Sequence, residues 1–152
     1  MWKRISDVYV DGGYTLFGSN GVTPTDILQG SIGNCWLMTA VSAIAEKPER
    51  VEKMFLNTLN AIEAKGIYGV NMYALGVPHT IIVDDYIPMY EGGGNVFAGI
   101  PDDKSVWGAI IEKAFAKLYG NYYHVEAGTA TMAARTLIGG PWEEFEHTDY
   151  KG

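Results

Sequence analysis

The sequence predicts a mixed α+β domain that is mainly helical and carries a small antiparallel sheet. Three patterns lead to this fold class: an apolar run after Cys35, a period near two from Ile67 to Val83, and an amphipathic helical pattern from Trp107 to Leu118. The chain has 152 residues, of which 47% are apolar and 19% are charged. A chain of this length and composition is expected to fold as one globular domain.

Composition excludes several classes of protein. The formal net charge is −7 and the eleven Lys and Arg residues are scattered, which argues against a nucleic-acid partner. No apolar run reaches the roughly 18 residues of a transmembrane helix, and the start "MWKRISDVYV" lacks the apolar core of a signal peptide. We therefore expect a cytoplasmic protein without a transmembrane segment. A single cysteine can form neither an internal disulfide nor a Cys-x-x-Cys metal framework, so Cys35 is expected to act as a thiol.

The first half of the chain is predicted to be loop followed by helices. Residues 1–33 are rich in Gly, Ser, Thr and Asp and predict mostly loop. The first helix is predicted from Cys35 to Glu46, with the side chain of Asn34 as its N-cap. Apolar residues occupy nearly every face of this helix, which predicts that it is buried. Pro48 ends it, and "ERVEKMFLNTLNA" predicts a second helix.

The middle of the chain predicts a β-hairpin and a glycine-rich loop. The stretches "IYGVNMYAL" and "HTIIV" are rich in β-branched and aromatic residues, and a turn from Gly76 to Pro78 separates them. The following stretch "YEGGGNVFAGIPDD" predicts a loop. Its three glycines do not have the spacing of a phosphate-binding motif, so a flexible turn is the simpler interpretation.

The third helix has the clearest pattern. It is predicted from Trp107 to the glycine at position 120, with its apolar side chains on one face and Glu112, Lys113 and Lys117 toward water. A short helix from Ala130 to Leu137 completes the predicted elements.

The position of Cys35 allows two interpretations. A helix N-terminus favours the reactive thiolate, because free amides and the helix dipole stabilise negative charge. Gln29 lies six residues upstream, across a loop with Gly30 and Gly33, and its amide could fold back near the sulfur. Together with the amide of Cys35 it would form an oxyanion hole for acyl transfer. Single buried cysteines are common, however, so a small inert side chain remains the alternative on these local cues.

The segment "QGSIGNCWLMTAVSAIA" resembles the active-site segment of calpains, which are intracellular, calcium-dependent cysteine endopeptidases with a papain-like fold. Other blocks match in the same order: "WKRISDVY", "LFGSNGVTPTDILQG", "IIVDDYIP", "VWGAIIEKAFAKLYGNYY" and "LIGG". The resemblance implies that residues 1–140 are the first, mainly helical half of the catalytic core. Residues 141–152 would then begin the connection to a second half that carries the catalytic His and Asn.

The resemblance also assigns roles at the site. It implies that Cys35 is the nucleophile, that Gln29 supplies the oxyanion hole, and that Trp36 and Gly33 belong to the substrate cleft, with proteins as substrates. None of the histidines lies in the Gly-His-Ala setting of the family; they are His79, His124 and His147. We therefore expect the isolated chain to be inactive. A non-catalytic binding module that keeps the calpain fold is the alternative.

Calcium is implied by the resemblance, although one ligand is missing. The family site in this half would use the carboxylate of Asp26 and the carbonyls of Ser19 and Gly21. The glutamate that completes it in the family falls on Ser105. Because calcium requires several oxygen ligands, this loss is expected to weaken the site. The acidic pair 102–103 could compensate, or could merely cap the following helix.

Overall fold

The computed structural model describes residues 1–10, 13–56, 65–141 and 143. This part of the chain contains helices and two small antiparallel sheets, in which the strands of the middle segment follow one another, and this confirms the predicted α+β class. The elements are β1 (Trp2–Arg4), α1 (Ile5–Val8), α2 (Cys35–Ala45), α3 (Pro48–Glu52), β2 (Ile67–Ala74), β3 (Val77–Asp84), β4 (Tyr86–Pro88), α4 (Trp107–Leu118) and α5 (Ala130–Ile138), with 3₁₀ turns at Pro24–Asp26 and Tyr122–Val125. None of the helices in these residues is both long and apolar enough to cross a membrane.

The predicted hairpin is formed by β2 and β3, which pair antiparallel along their whole length. Its turn lies one residue earlier than predicted, at Leu75 and Gly76, and Pro78 pairs with Tyr73 inside the hairpin. The two turn residues have φ of 52° and 81°. Two-residue hairpin turns require such positive φ values, and glycine adopts them without strain.

A second antiparallel pair, β1 with β4, joins the start of the chain to the segment after the hairpin. The sequence did not predict this pair because each strand has only three residues. Asp85, which lies between β3 and β4, is 1% exposed and accepts a hydrogen bond from Arg4 Nε at 3.0 Å. The ion pair fixes the place where the two strand pairs meet.

Helix α2 is buried on most of its faces, as predicted. Leu37, Val41 and Ala45 are each at most 2% exposed. Asn34 does occupy the N-cap position, but its side chain makes no capping hydrogen bond, so that part of the prediction was wrong. The amide of Asn34 is instead turned toward Glu112, and its Nδ2 donates to Oε1 at 2.6 Å.

Helix α3 is much shorter than predicted. It ends at Glu52, because the chain after it pairs with the edge of β2. Asn71 N donates to Met54 O at 2.7 Å, and Leu56 N donates to Gly69 O at 2.9 Å. These bonds use main-chain groups that a longer helix would need. The rest of the predicted helix, residues 57–61, lies outside the described residues.

Helix α4 has the predicted bounds but not the predicted polar face. Glu112 is only 1% exposed, so its predicted position toward water was wrong. Two buried N–H donors, from Asn34 and Ala98, contact its carboxylate and offset the cost of burial. Lys117 is exposed and its Nζ donates to a carbonyl of β3, whereas the side chain of Lys113 is only 13% exposed and binds Asp84.

Candidate active site

Cys35 is the first residue of α2 and is exposed in a cleft of about 550 Å³. The cleft follows successive turns of this helix as far as Glu46. The carbonyl of Asn34 accepts from the amides of Leu37 and Met38, which starts the helical hydrogen bonding. As the first helical residue, Cys35 has an amide without a partner inside the helix. A thiol and a backbone donor are therefore placed together at the end of the cleft.

Gln29 lines the same cleft as Cys35. Its side chain folds back over its own loop, where Nε2 donates to Ile32 O at 3.1 Å. A primary amide has two N–H donors, and this bond uses one of them. The bond therefore fixes the side chain of Gln29 on the loop that leads to Cys35, and its use in an oxyanion hole stays a prediction.

The cleft loop, residues 28–34, contributes Gln29 to the lining of the cleft and packs against a second segment, the flanking loop, residues 95–99. Ser31 N donates to Val96 O at 2.9 Å, and Gly99 N donates to Leu28 O at 2.8 Å. The backbones lie so close that a Cβ at Gly30 would be 2.1 Å from a carbonyl oxygen of the flanking loop. The absence of a side chain at position 30 is therefore required by this contact.

Glu112 lies beneath both loops. Its Oε1 accepts from Asn34 Nδ2 at 2.6 Å, and its Oε2 accepts from Ala98 N at 2.9 Å. Burial raises the pKa of the Glu112 carboxyl, although the two hydrogen bonds act in the opposite direction. Sequence analysis missed this residue, because an amphipathic pattern does not reveal donors that come from distant loops.

Trp36 points inward from α2 and is 7% exposed. Its Nε1 donates to Val125 O at 2.9 Å, and its ring packs edge-on against Phe115 with 5.5 Å between centroids. Gly128 lies on the indole, since a Cβ there would be 2.6 Å from the ring. These contacts anchor the start of α2 to the segment that precedes α5. The assignment of Trp36 to the substrate cleft stays a prediction.

Gly33 is exposed, and its carbonyl accepts from Ala127 N at 3.1 Å. The segment 125–128 is therefore attached to the cleft loop as well as to Trp36. Nothing in the spacing of the sequence links these two segments, and the isolated glycine at position 128 was the only local signal for a close contact. The role of Gly33 in binding substrate also stays a prediction.

No histidine of the described residues lines the cleft. His79 is exposed on β3, and His124 Nδ1 lies 2.9 Å from Tyr119 O. His147 lies outside the described residues, as does most of the predicted connecting segment 141–152. Within the part of the chain that the structure describes, Cys35 has no imidazole as a partner in the cleft.

Asp26, the predicted calcium ligand, already has three intramolecular partners. Its Oδ2 accepts from Thr23 N and Trp107 Nε1, each at 2.9 Å, and its Oδ1 accepts from Thr23 Oγ1 at 2.7 Å. The carboxylate thereby closes a capping box at its 3₁₀ turn and fixes the start of α4. A calcium ion would have to compete with these donors.

The other positions of the predicted calcium site differ in exposure. Ser19 is exposed and Gly21 is half-buried, while Ser105 is buried and its Oγ has no hydrogen-bond partner. Asp103 Oδ2 is likewise buried without a partner. No group of three or more His, Cys, Asp or Glu side chains that could hold a metal occurs among the described residues. The predicted set thus offers one carboxylate, which already accepts hydrogen bonds, beside carbonyl and hydroxyl oxygens, and calcium binding by this half stays a prediction.

Comparison with known proteins identifies the family. The family model described as "Calpain family cysteine protease" matches residues 1–151. The calpain-type cysteine protease DEK1 of Zea mays is 34% identical over 149 residues, which are 95% of this chain and 7% of that protein. The calpain-2 catalytic subunit of Homo sapiens is 30% identical over 146 residues, which are 95% of this chain and 20% of that protein.

A calpain of Schistosoma mansoni is 30% identical over 142 residues, which are 91% of this chain and 18% of that protein. The chain thus spans no more than a fifth of the length of these relatives. The resemblance stated from the motif around Cys35 is confirmed, and so is the α+β, papain-like fold class that it implied. The chain belongs to the calpain family of cysteine proteases.

Proposed function

We propose that this chain supplies the nucleophile-bearing half of a calpain-type endopeptidase that cleaves internal peptide bonds of intracellular proteins. One observation carries the proposal: the thiol of Cys35, at the start of α2, shares a cleft with the amide of Gln29. Both groups come from the segment that carries the family motif.

In the proposed reaction, Cys35 Sγ attacks the carbonyl carbon of the scissile peptide bond. The amide of Cys35 and Gln29 Nε2 donate hydrogen bonds to the oxyanion that forms, and removing one such donor typically lowers the rate by about 10²- to 10³-fold. The thiol proton passes to an imidazole and from there to the leaving amine, the C–N bond breaks, and the acyl group stays on Sγ as a thioester. Water then hydrolyses the thioester and releases the thiol.

The imidazole and the Asn that orients it belong, in this proposal, to a second half of the catalytic core. The described histidines support this division, since neither His79 nor His124 lines the cleft. We therefore expect little or no peptidase activity from the 152-residue chain alone. The second half would also form the opposite wall of the substrate cleft.

The proposal is tested by joining the chain to a second half that carries the family's His and Asn, and by measuring hydrolysis of a fluorogenic peptide. Hydrolysis should be lost in Cys35→Ser and should fall about 10²- to 10³-fold in Gln29→Ala. Thr39→Ala is the matched control, because Thr39 lines the same cleft without a proposed role. Its rate should stay close to that of the unchanged protein.

Two results would contradict the proposal. A joined protein that folds but does not hydrolyse peptides would favour the non-catalytic binding module. Hydrolysis by the isolated chain that depends on Cys35 would show that the base is not confined to the second half.

We also propose that this half binds calcium only weakly. The carboxylate of Asp26 already accepts hydrogen bonds from Thr23 and Trp107, and Ser105 stands where the family has a carboxylate. Calorimetric titration of the chain with calcium should give a dissociation constant of roughly millimolar or weaker. Ser105→Glu, which adds the missing carboxylate, should tighten binding. Micromolar binding by the unchanged chain that disappears in Asp26→Asn would overturn this expectation.

A further inference from the structure

Glu112 is a buried carboxylate to which the proposed reaction assigns no role. It lies in the middle of α4 and is 1% exposed. Burial of a charged side chain is costly unless hydrogen bonds compensate for lost water. An apolar side chain at this position could be buried against the core at a lower cost in free energy. The carboxylate therefore requires an explanation beyond packing.

The two oxygens of Glu112 contact two different loops. Oε1 accepts from Asn34 Nδ2 at the end of the cleft loop, and Oε2 accepts from Ala98 N in the flanking loop. The loops are otherwise joined by main-chain bonds, from Ser31 to Val96 and from Gly99 to Leu28. Glu112 adds a further connection at Asn34, the residue next to Cys35.

Asn34 transmits this contact directly to the reactive residue. Its peptide bond carries the amide of Cys35, and its carbonyl accepts the first hydrogen bonds of α2. A shift of Asn34 must therefore move the Cys35 amide. The flanking loop is itself fixed from the other side, because Phe97 stacks on Tyr122 with 4.0 Å between ring centroids.

We propose that Glu112 is a positioning residue, which holds Asn34 and Ala98 at a fixed separation and thereby directs the amides of Cys35 and Gln29 toward the same point of the cleft. This inference rests on the proposed function, because it concerns the oxyanion hole of that reaction. Glu112 itself contacts neither the thiol nor the cleft. An amide at position 34 suits this arrangement, since its N–H donates to a carboxylate oxygen of Glu112.

The test uses the 152-residue chain and two variants at position 112. Glu112→Met has a similar length but no acceptor, so the donors of Asn34 and Ala98 lose their partner. Glu112→Gln can keep both bonds if the amide of Asn34 turns over, with Gln Oε1 accepting from Ala98 and Gln Nε2 donating to Asn34. Ile110→Val is the control, because Ile110 is fully buried on the same helix and its side chain forms no hydrogen bond.

Two readouts separate positioning from stability: the NMR signals of the Cys35 backbone amide and the Gln29 side-chain amide, and the rate at which iodoacetamide alkylates Cys35. In Glu112→Met we expect both sets of signals to shift and the rate to fall roughly threefold or more, because the free amides at the start of α2 no longer face the sulfur. Glu112→Gln should restore the rate. Ile110→Val should leave the signals and the rate unchanged.

Unchanged signals and an unchanged rate in folded Glu112→Met would overturn the proposal, and so would equal changes in Ile110→Val. If Glu112→Met does not fold, Asn34→Ala takes its place, because it removes the N–H that donates to Glu112 Oε1 at 2.6 Å. The same shifts and the same loss of rate are expected. None of these readouts requires hydrolysis, so failure of the joined protein to cleave peptides would reject the protease and not the positioning role.

Discussion

At the scale of single residues, Gly30 controls how closely the cleft loop and the flanking loop approach each other. A Cβ at this position would meet the backbone of Phe97, with its carbonyl oxygen at 2.1 Å and its Cα at 2.6 Å. Backbone atoms cannot rotate away as the end of a flexible side chain can. The contact therefore leaves room for hydrogen at position 30 and for nothing larger.

We predict that Gly30→Ala forces the cleft loop away from the flanking loop. The free energy of unfolding should fall by about 1–3 kcal/mol, as is usual for overpacking, and Cys35 should be alkylated at a different rate. Urea denaturation and iodoacetamide kinetics measure the two effects. Gly33→Ala is the matched control, since a Cβ there has nothing within 4 Å. Equal losses of stability in both variants would contradict the prediction.

Sequence analysis identified the candidate site residues that lie together in one short motif. Gln29 and Cys35 lie within one short motif and do line a common cleft. The errors concern Asn34 and Glu112, whose orientations depend on each other across 78 positions of the chain. A capping preference and a helical period describe each residue in its own segment. Neither can show that a buried amide and a buried carboxylate will meet.

At the scale of elements, α4 links the protonation of Glu112 to stability. Because burial raises the pKa of this carboxyl, the folded chain binds its proton more tightly than the unfolded chain does. The contribution of Glu112 to the free energy of unfolding is therefore largest at low pH. It falls as the pH rises from the ordinary glutamate value of 4.5 through the raised value.

We predict that Glu112→Gln removes this loss of stability with rising pH. The free energy of unfolding of both chains is measured in urea at a series of pH values from about 4.5 to 7. As the pH rises, the value for the unchanged chain should fall relative to the value for Glu112→Gln. Asp84→Asn provides a control of opposite sign. Partial burial acts to raise the pKa of Asp84, but the hydrogen bonds from Lys113 and the amide of Tyr86 together lower it. Identical pH profiles for Glu112→Gln and the unchanged chain would contradict the prediction.

The bounds of the elements followed the sequence where one periodic pattern was strong. Helices α2, α4 and α5 begin at their predicted residues. Helix α3 was predicted too long, because periodicity could not anticipate that residues 54–56 pair with β2. The hairpin turn was misplaced for a similar reason. Leu75 adopts a positive φ that its side chain does not favour, so its residue type did not predict a turn position. Of the two turn residues, only Gly76 is of a type that favours turns.

At the scale of the whole molecule, the sequence predicted the fold class and the family but not the way in which distant segments join. The pairing of β1 with β4 and the contact between the cleft loop and the flanking loop had no local signal. The same holds for the segment 125–128, which packs on Trp36 and Gly33. Each of these depends on side-chain or backbone complementarity that appears only after the chain has folded.

The contacts behind Cys35 also bear on the order in which the chain can fold. Trp36 bonds to Val125 across 89 positions, and Asn34 bonds to Glu112 across 78. Contacts of such long range form late, because the loop between them must first be closed. During synthesis on the ribosome, the thiol emerges well before its partners exist. A half-made chain thus carries the cysteine without the cleft. Reaction of Cys35 with a substrate-like electrophile that requires the cleft would therefore report that folding is complete.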